Sequence, residues 1–232
     1  MRHTRHGSHL HQLTRLGFVN TYLVAEPDGF TLVDTGMPGS AAALLRAASG
    51  LGQPIRRIVL THAHGDHTGS LDALHAALPD VPLLISGRDA RLLGGDHQLD
   101  PGEPQVRLRG DLRPSNAPVQ PLADGDRVGS LRVVATPGHT PGHLALLDTR
   151  DGTVICGDAY HTVGGPAVSG DLRLIFPLPA LATWHAPTAL ASAHLLADLN
   201  PTRLAPGHGR VVEDPAPAMR RALQRAQRGA RA

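Results

Sequence analysis

Three observations predict a layered fold of strands and helices, in the α/β or α+β class. Apolar, β-like runs recur in both halves of the chain. Ala/Leu-rich helical stretches separate them. Several strand-like runs end beside a glycine in a histidine or an aspartate, a placement typical of sites built on strand edges. At 232 residues the chain is long enough for one well-cored domain.

In order along the chain, residues 1–11 (MRHTRHGSHLH) are polar and charged and read as a flexible N-terminal tail ahead of one domain over residues 12–232. LTRLGFVNTYLVAEPDGFTLVDTG reads as two or three strands with Glu26-Pro27-Asp28-Gly29 as a hairpin turn. PGSAAALLRAAS is a helix with Pro38 at its start, IRRIVL a strand, SLDALHAAL a helix, VPLLIS a strand and RDARLL a short helix. Residues 94–118 are rich in Gly, Pro and Asp and read as a long surface excursion, usually a functional or mobile feature in a compact domain. Strands resume with RVGSLRVVAT, HLALLDT and GTVICGD. Residues 159–183 form a second Gly/Pro-rich excursion. A helix over APTALASAHLLADL, a strand and turn in TRLAPGHG and a final helix over PAMRRALQRAQRGA complete the pattern.

Composition narrows the chemistry. All 22 basic residues are arginine, so no Schiff-base, phosphate-loop or Ser–Lys mechanism can use a lysine of this chain. The formal charge of +2 and 3% aromatic content argue against nucleic acid as a partner. No apolar run reaches the roughly 18 residues of a membrane helix, and the N-terminal residues lack a signal-peptide core, so a cytoplasmic protein with no membrane partner is expected. The single cysteine, Cys156, precludes an internal disulfide and reads as a small buried residue.

The fifteen histidines are the anomaly. RIVLTHAHGDH places His62, His64, Asp66 and His67 directly after a strand; VVATPGHTPGH adds His139, TVICGD adds Asp158, TRLAPGHG adds His208, and TLVDTG ends near Asp34. Imidazole and carboxylate donors suit zinc, and also manganese, iron or cobalt. His62 and His64 are two apart and share a side on extended backbone, while Gly65 lets Asp66 and His67 turn to a second position. Two cation sites follow: His62, His64 and His139 for one; Asp66, His67 and His208 for the other; Asp158 with two oxygens to bridge them.

Together FVNTYLVAEPDGFTLVDTGMPG, THAHGDHTGS, TPGHTPGH, ICGDAY and LAPGHG resemble the metallo-β-lactamase superfamily over most of the chain, most closely its generic bacterial hydrolase and lactonase-like branch. The resemblance implies a four-layer αβ/βα sandwich, two mixed β-sheets flanked by helices, with a binuclear metal site on one edge. Its ligand pattern falls on the same seven residues. It places Asp34 as a support behind the ligands, and His143 as a repeated histidine that is generally not a ligand. It also implies a monomer or homodimer acting on a small acyl compound, a lactone or other ester ahead of a thioester or β-lactam.

Two ions about 3.5–4 Å apart would share a water, lower its pKa and direct the resulting hydroxide at an acyl carbonyl. Asp66 is the candidate to orient that nucleophile or carry its proton. Tyr160 is the candidate oxyanion donor, although lactonases of the superfamily carry their tyrosine three residues after the bridging aspartate rather than two; His161 is a weaker rival. Phe176 and Trp184 are candidate walls of the substrate pocket. A persulfide-oxidising iron enzyme and a non-catalytic metal-binding protein are the competing functions.

Overall fold

The structure is a computed structural model, and it describes residues 1–229. The first four strands form an antiparallel meander: β1 (Arg2–His6), β2 (Leu10–Arg15), β3 (Val19–Glu26) and β4 (Gly29–Val33). α1 (Ala41–Gly50) buries Leu44 and Ala48 on one stripe. β5 (Ile55–Val59) then joins β4 in parallel, followed by α2 (Gly65–Thr68), α3 (Leu71–Ala77), β6 (Leu83–Ser86), α4 (Gly87–Leu93) and β7 (Val119–Leu122). These seven strands form one mixed sheet in chain order.

The second half contains β8 (Arg127–Val128), β9 (Leu131–Ala135), β10 (Leu144–Asp148), β11 (Thr153–Gly157), the hairpin β12 (Tyr160–His161) and β13 (Ala167–Val168), α5 (Leu178–Ala182), α6 (Ala186–Asp198), β14 (Arg203–Pro206), β15 (Val212–Glu213) and α7 (Ala216–Gly229). Its main sheet has the order β15-β14-β11-β10-β9-β8 and is also mixed, because β11 and β14 run parallel.

Alternation along buried strands builds three apolar layers. Leu23, Phe30, Leu32 and Ile58 face Leu44, Leu71, Leu74 and Leu92 of the first helical layer. Tyr22, Val24, Val33 and Val59 turn to the opposite side and meet Val133, Leu144, Leu146 and Ile155 of the second sheet. Val154 and Cys156 point outward to Ala193, Leu196, Met219 and Leu223 of α6 and α7. The order is therefore helix, sheet, sheet, helix.

The hairpin β12–β13 and α5 within residues 159–183, and the short β15, were not expected, and two larger differences concern the edges of the first sheet. Residues 1–11 are not a loose tail: Arg2–His6 pairs with Leu10–Arg15 across a tight turn. Four of the five β1 residues are exposed, so the strand carries no apolar alternation and rests on the backbone ladder, with His3 Nε2 2.9 Å from His11 Nδ1 and His6 Nε2 3.0 Å from Gln12 Oε1. β7 was not expected either; it lies at a sheet edge, contains Pro121 and is mostly exposed, which suits an edge strand and hides it from pattern reading.

The sheet-to-sheet layer sets the sensitivity of the fold. Leu146→Ala, fully buried between the sheets, should cost about 2–5 kcal/mol in chemical denaturation. Leu174→Ala, at 91% exposure, should stay within about 0.5 kcal/mol of the parent in the same experiment.

Candidate metal centre

The two main sheets meet at one edge, where loops after β4, β5, β9, β11 and β14 converge. The junction is stitched by backbone bonds: Leu144 N–H donates to Thr61 O (2.8 Å), and Asn20 N–H donates to Gly207 O (2.8 Å). Tyr22 Oη donates to Pro206 O at 2.6 Å, and Asn20 Nδ2 donates to the carbonyls of Pro206 and Gly209. These contacts hold the His208 loop of one sheet against the other.

All seven residues of the expected ligand set lie together here. One donor atom from each of His62, His64 and His139 falls within 4.8 Å of the others, and the same holds for Asp66, His67 and His208. Asp158 touches both groups: Oδ1 is 3.3 Å from His67 Nε2, and Oδ2 is 3.4 Å from His139 Nε2 and 3.1 Å from His208 Nε2. Asp66 is half-buried, with Oδ2 3.2 Å from His208 Nε2.

The outer nitrogens of four of the five rings are fixed by hydrogen bonds from the protein, which sets their tautomers, while His208 Nδ1 is buried without a partner. His67 Nδ1 donates to Asp34 Oδ2 (2.8 Å). Asp34 also accepts the Thr61 hydroxyl, so Thr61 Oγ1 accepts from His62 Nδ1 at 3.0 Å. Arg109 O can only accept, so His64 Nε2 carries the proton in their 2.9 Å bond. Thr183 Oγ1 donates to Pro179 O and Ser169 Oγ donates to Thr183, so His139 Nδ1 donates to Ser169 Oγ at 2.8 Å. The remaining nitrogens, His62 Nε2, His64 Nδ1, His67 Nε2 and His139 Nε2, face the centre, and His64 Nδ1 stands 2.9 Å from His139 Nε2. Asp34 holds φ at +60°, a left-handed backbone rare for a non-glycine residue, and in that pose serves two rings at once.

This arrangement fits divalent metal. His62 Nε2, His67 Nε2 and Asp158 Oδ1 are buried without any hydrogen-bond partner, and one donor atom from each of these three residues falls within 4.8 Å of the others. Buried polar atoms left this way are costly unless a cation satisfies them. Protons occupy that role when no ion does. Burial lowers His67 and His208, but Asp158 and Asp66 more than reverse this, raising His67 well above the usual range and bringing His208 up to about 9. Burial raises Asp158, yet His208 and His67 hold it well below the carboxylate range. His62 and His139 are pushed down, by burial first and by neighbouring imidazoles second.

The supporting residues divide. His143 does not face the centre with a free nitrogen: Nε2 accepts Asp158 N–H (3.0 Å) and Nδ1 donates to Thr136 Oγ1 (2.8 Å), so it fixes the backbone that carries Asp158. Tyr160 requires correction. Its hydroxyl donates to Ala193 O of α6 (2.8 Å) and its ring packs in the outer core, so it is no oxyanion donor in this geometry. Tyr160 opens β12 after the turn at Asp158–Ala159, which directs its side chain to the helix side. His161 is buried with both nitrogens unpartnered, and its ring stands 5.5 Å from Phe176. Phe176 does line the cavity, whereas Trp184 is buried with Nε1 donating to Val106 O.

A cavity of about 320 Å³ opens over the centre. Phe18, Phe176, Leu178, Pro179, Leu181 and Ala182 form an apolar wall, and Asp66, Asp158, His64, His139 and His208 the polar floor. Gly110 and Asp111 close one side. Sequence reading did not single out these two, because the excursion contacts the centre through backbone: besides the Arg109 carbonyl, Gly65 N–H donates to Asp111 O (2.8 Å). Gly110, at φ +85°, lies so close that a Cβ would stand 2.2 Å from His64 Nε2. Gly207 is equally constrained, since a Cβ there would stand 2.3 Å from Asp158 Oδ1.

Residues 14–208 match the family pattern Lactamase_B, metallo-beta-lactamase superfamily. The chain belongs to the metallo-β-lactamase superfamily. It is 47% identical over 213 residues to the uncharacterized protein YobT of Bacillus subtilis (strain 168), covering 91% of each chain. It is 32% identical to the probable metallo-hydrolase YflN of the same organism, over 86% of this chain and 83% of YflN. Among solved structures, TTHA1623 in a di-iron-bound form shares 30% identity and a TM-score of 0.65, over 89% of this chain and 95% of that one. The αβ/βα sandwich of two mixed sheets flanked by helices is the fold of this superfamily, and relatives within it are named metallo-hydrolases. No helix among the described residues is long and apolar enough to cross a membrane.

Two measurements probe the centre. Metal must displace the protons held on His67 and His208, so affinity for Zn²⁺ should rise with pH through neutrality, and the part of the rise due to His208 should end near its pKa of about 9. Chelator-competition titrations across that range check it, and a flat profile would contradict it. Tyr160→Phe should reduce stability by about 0.5–1.5 kcal/mol while leaving turnover unchanged, because its hydroxyl serves only the helix; a loss of turnover at constant metal content would restore the oxyanion role.

Proposed function

We propose that the chain is a binuclear-metal-dependent hydrolase of a small, partly apolar acyl compound, with a lactone or other ester as the leading substrate class. The observation that carries this reading is the pair of imidazole–carboxylate groups sharing Asp158 on the floor of an apolar-walled cavity. His62, His64 and His139 would hold one ion, Asp66, His67 and His208 the other, and Asp158 both. Zinc is the proposed ion from the nitrogen-rich donor set, with iron the principal rival given the di-iron form of the similar structure. Manganese and cobalt suit the same donors.

The chemistry that two such ions supply when bound is Lewis-acid activation of water and of an acyl oxygen. The chain's own residues do the rest. Asp66, the most accessible carboxylate of the floor, would orient an attacking water or carry its proton. Phe18, Phe176, Leu178 and Leu181 seat the apolar part of the substrate and exclude bulk water, which strengthens polar interactions on the floor. Asp34, Thr61 and the Arg109 carbonyl keep the rings from reorienting during turnover.

Protein prepared with Zn²⁺, Mn²⁺ or Fe²⁺ and assayed on lactones, simple esters, thioesters and chromogenic β-lactams tests the proposal. Metal-dependent turnover on lactones or esters, greatest where the acyl part is apolar, is the expected result. Turnover coupled to oxygen uptake, or two bound ions with no hydrolysis of any class, would refute it. Asp158→Ala should lower both metal content and rate, by more than the roughly 10–100-fold produced by losing a hydrogen-bonding neighbour of a ligand; two retained ions with full activity would rule out the bridge.

A further inference from the structure

Resting on this binuclear reading, we propose that Asp89 is a positioning residue that sets the spacing between the His62/His64 loop and the His139 loop. Asp89 lies in the first turn of α4, is wholly buried and makes no ion pair among the described residues. Its neighbour Arg88 points away, with Nε 2.6 Å from Glu103 Oε1. The carboxylate instead collects three donors. Oδ2 accepts Ala63 N–H (2.9 Å) and the Thr140 hydroxyl (2.7 Å), and Oδ1 accepts Gly142 N–H (2.7 Å).

The identity of those donors makes the contact functional. Ala63 stands between His62 and His64. Thr140 follows His139, and Gly142 precedes His143, which carries the Asp158 backbone. One rigid carboxylate therefore joins two loops that are far apart in sequence and belong to different sheets. Ser86 Oγ accepts Asp89 N–H (3.0 Å) and anchors the base of the clamp at the end of β6. Packing leaves no slack: a Cβ on Gly142 would stand 2.6 Å from Asp89 Oδ1 and 2.3 Å from Ser86 Oγ. Only a carboxylate offers acceptors in both directions with no donor of its own. An amide would turn its NH₂ either on Gly142 N–H or on Ala63 N–H and the Thr140 hydroxyl, so at least one of the three bonds is lost and the clamp slackens.

The second group has different supports. His67 is held by Asp34, and the loop carrying His208 by Asn20 and Tyr22. Loss of the Asp89 clamp should therefore loosen one ion and spare the other.

The test uses the full-length protein loaded with Zn²⁺. Metal is counted after dialysis against a graded chelator, and histidine ring ¹⁵N spectra report which rings are bound. Wild type should retain two ions. Asp89→Asn should hold one as wild type does and the other about 10–100-fold more weakly, with the metal-bound signature fading on His139 and His64 and persisting on His208. Glu26→Gln is the control for stability alone: Glu26 is also buried, but it accepts from Ser130 and pairs with Arg150, away from the metal centre. It should lower thermal stability without changing metal content. Unchanged binding of both ions in Asp89→Asn, or equal loss of both, overturns the proposal. A wild type that binds fewer than two ions refutes the binuclear reading instead. Should Asp89→Asn fail to fold, Thr140→Val removes a single bond of the clamp and decides: a smaller loss at the same ion supports the proposal, and unaltered affinity for both ions overturns it.

Discussion

The structure depends on keeping five imidazoles and two carboxylates in contact where little water reaches them. Such a group is unstable unless its lone pairs converge on positive charge and its protons point outward. The protein meets the second condition at four of the five rings, His208 Nδ1 being buried without a partner. Asp34 orients His67 directly and His62 through Thr61, the Arg109 carbonyl orients His64, and Ser169 orients His139. The partners come from separate loops, so the inward geometry is a property of the whole edge.

That dependence explains the role of the sandwich. The dry layer between the sheets, built from Tyr22, Val33, Val59, Leu144, Leu146 and Ile155, fixes the strand ends from which the site loops leave. Tyr22 is continuous with the site: its ring lies in the apolar layer and its hydroxyl holds Pro206, two residues before His208. Packing and chemistry meet in one side chain there, and a shift of one sheet against the other would move His208 relative to His67.

Residue type and spacing made much of this legible in advance. The strand-end rule brought together the HAHGDH histidines, His139, Asp158 and His208, because metal-binding chemistry demands side chains of that kind. Asp34 and His143 were legible as neighbours of the centre through the resemblance to the superfamily. Three features escaped. β1 is exposed on both faces and shows no alternation. Asp89 sits in an ordinary amphipathic helix, where an acidic residue in the first turn reads as a routine helix-end charge. Arg109 acts through its carbonyl, which no side-chain pattern encodes. Tyr160 erred in the other direction: proximity in sequence to Asp158 suggested chemistry, but the turn between β11 and β12 directs the ring toward α6.

The carbonyl contact from Arg109 to His64 has a consequence for how such a protein diversifies. Because a main-chain atom makes the bond, the side chains of the excursion are nearly free of the catalytic floor they help cover. Gly110 must stay small, but Gln105, Val106, Arg107 and Asp111 can change without dismantling the centre. Side chains at residues 105–113 can thus drift while the histidine and aspartate cluster beneath them is inherited intact.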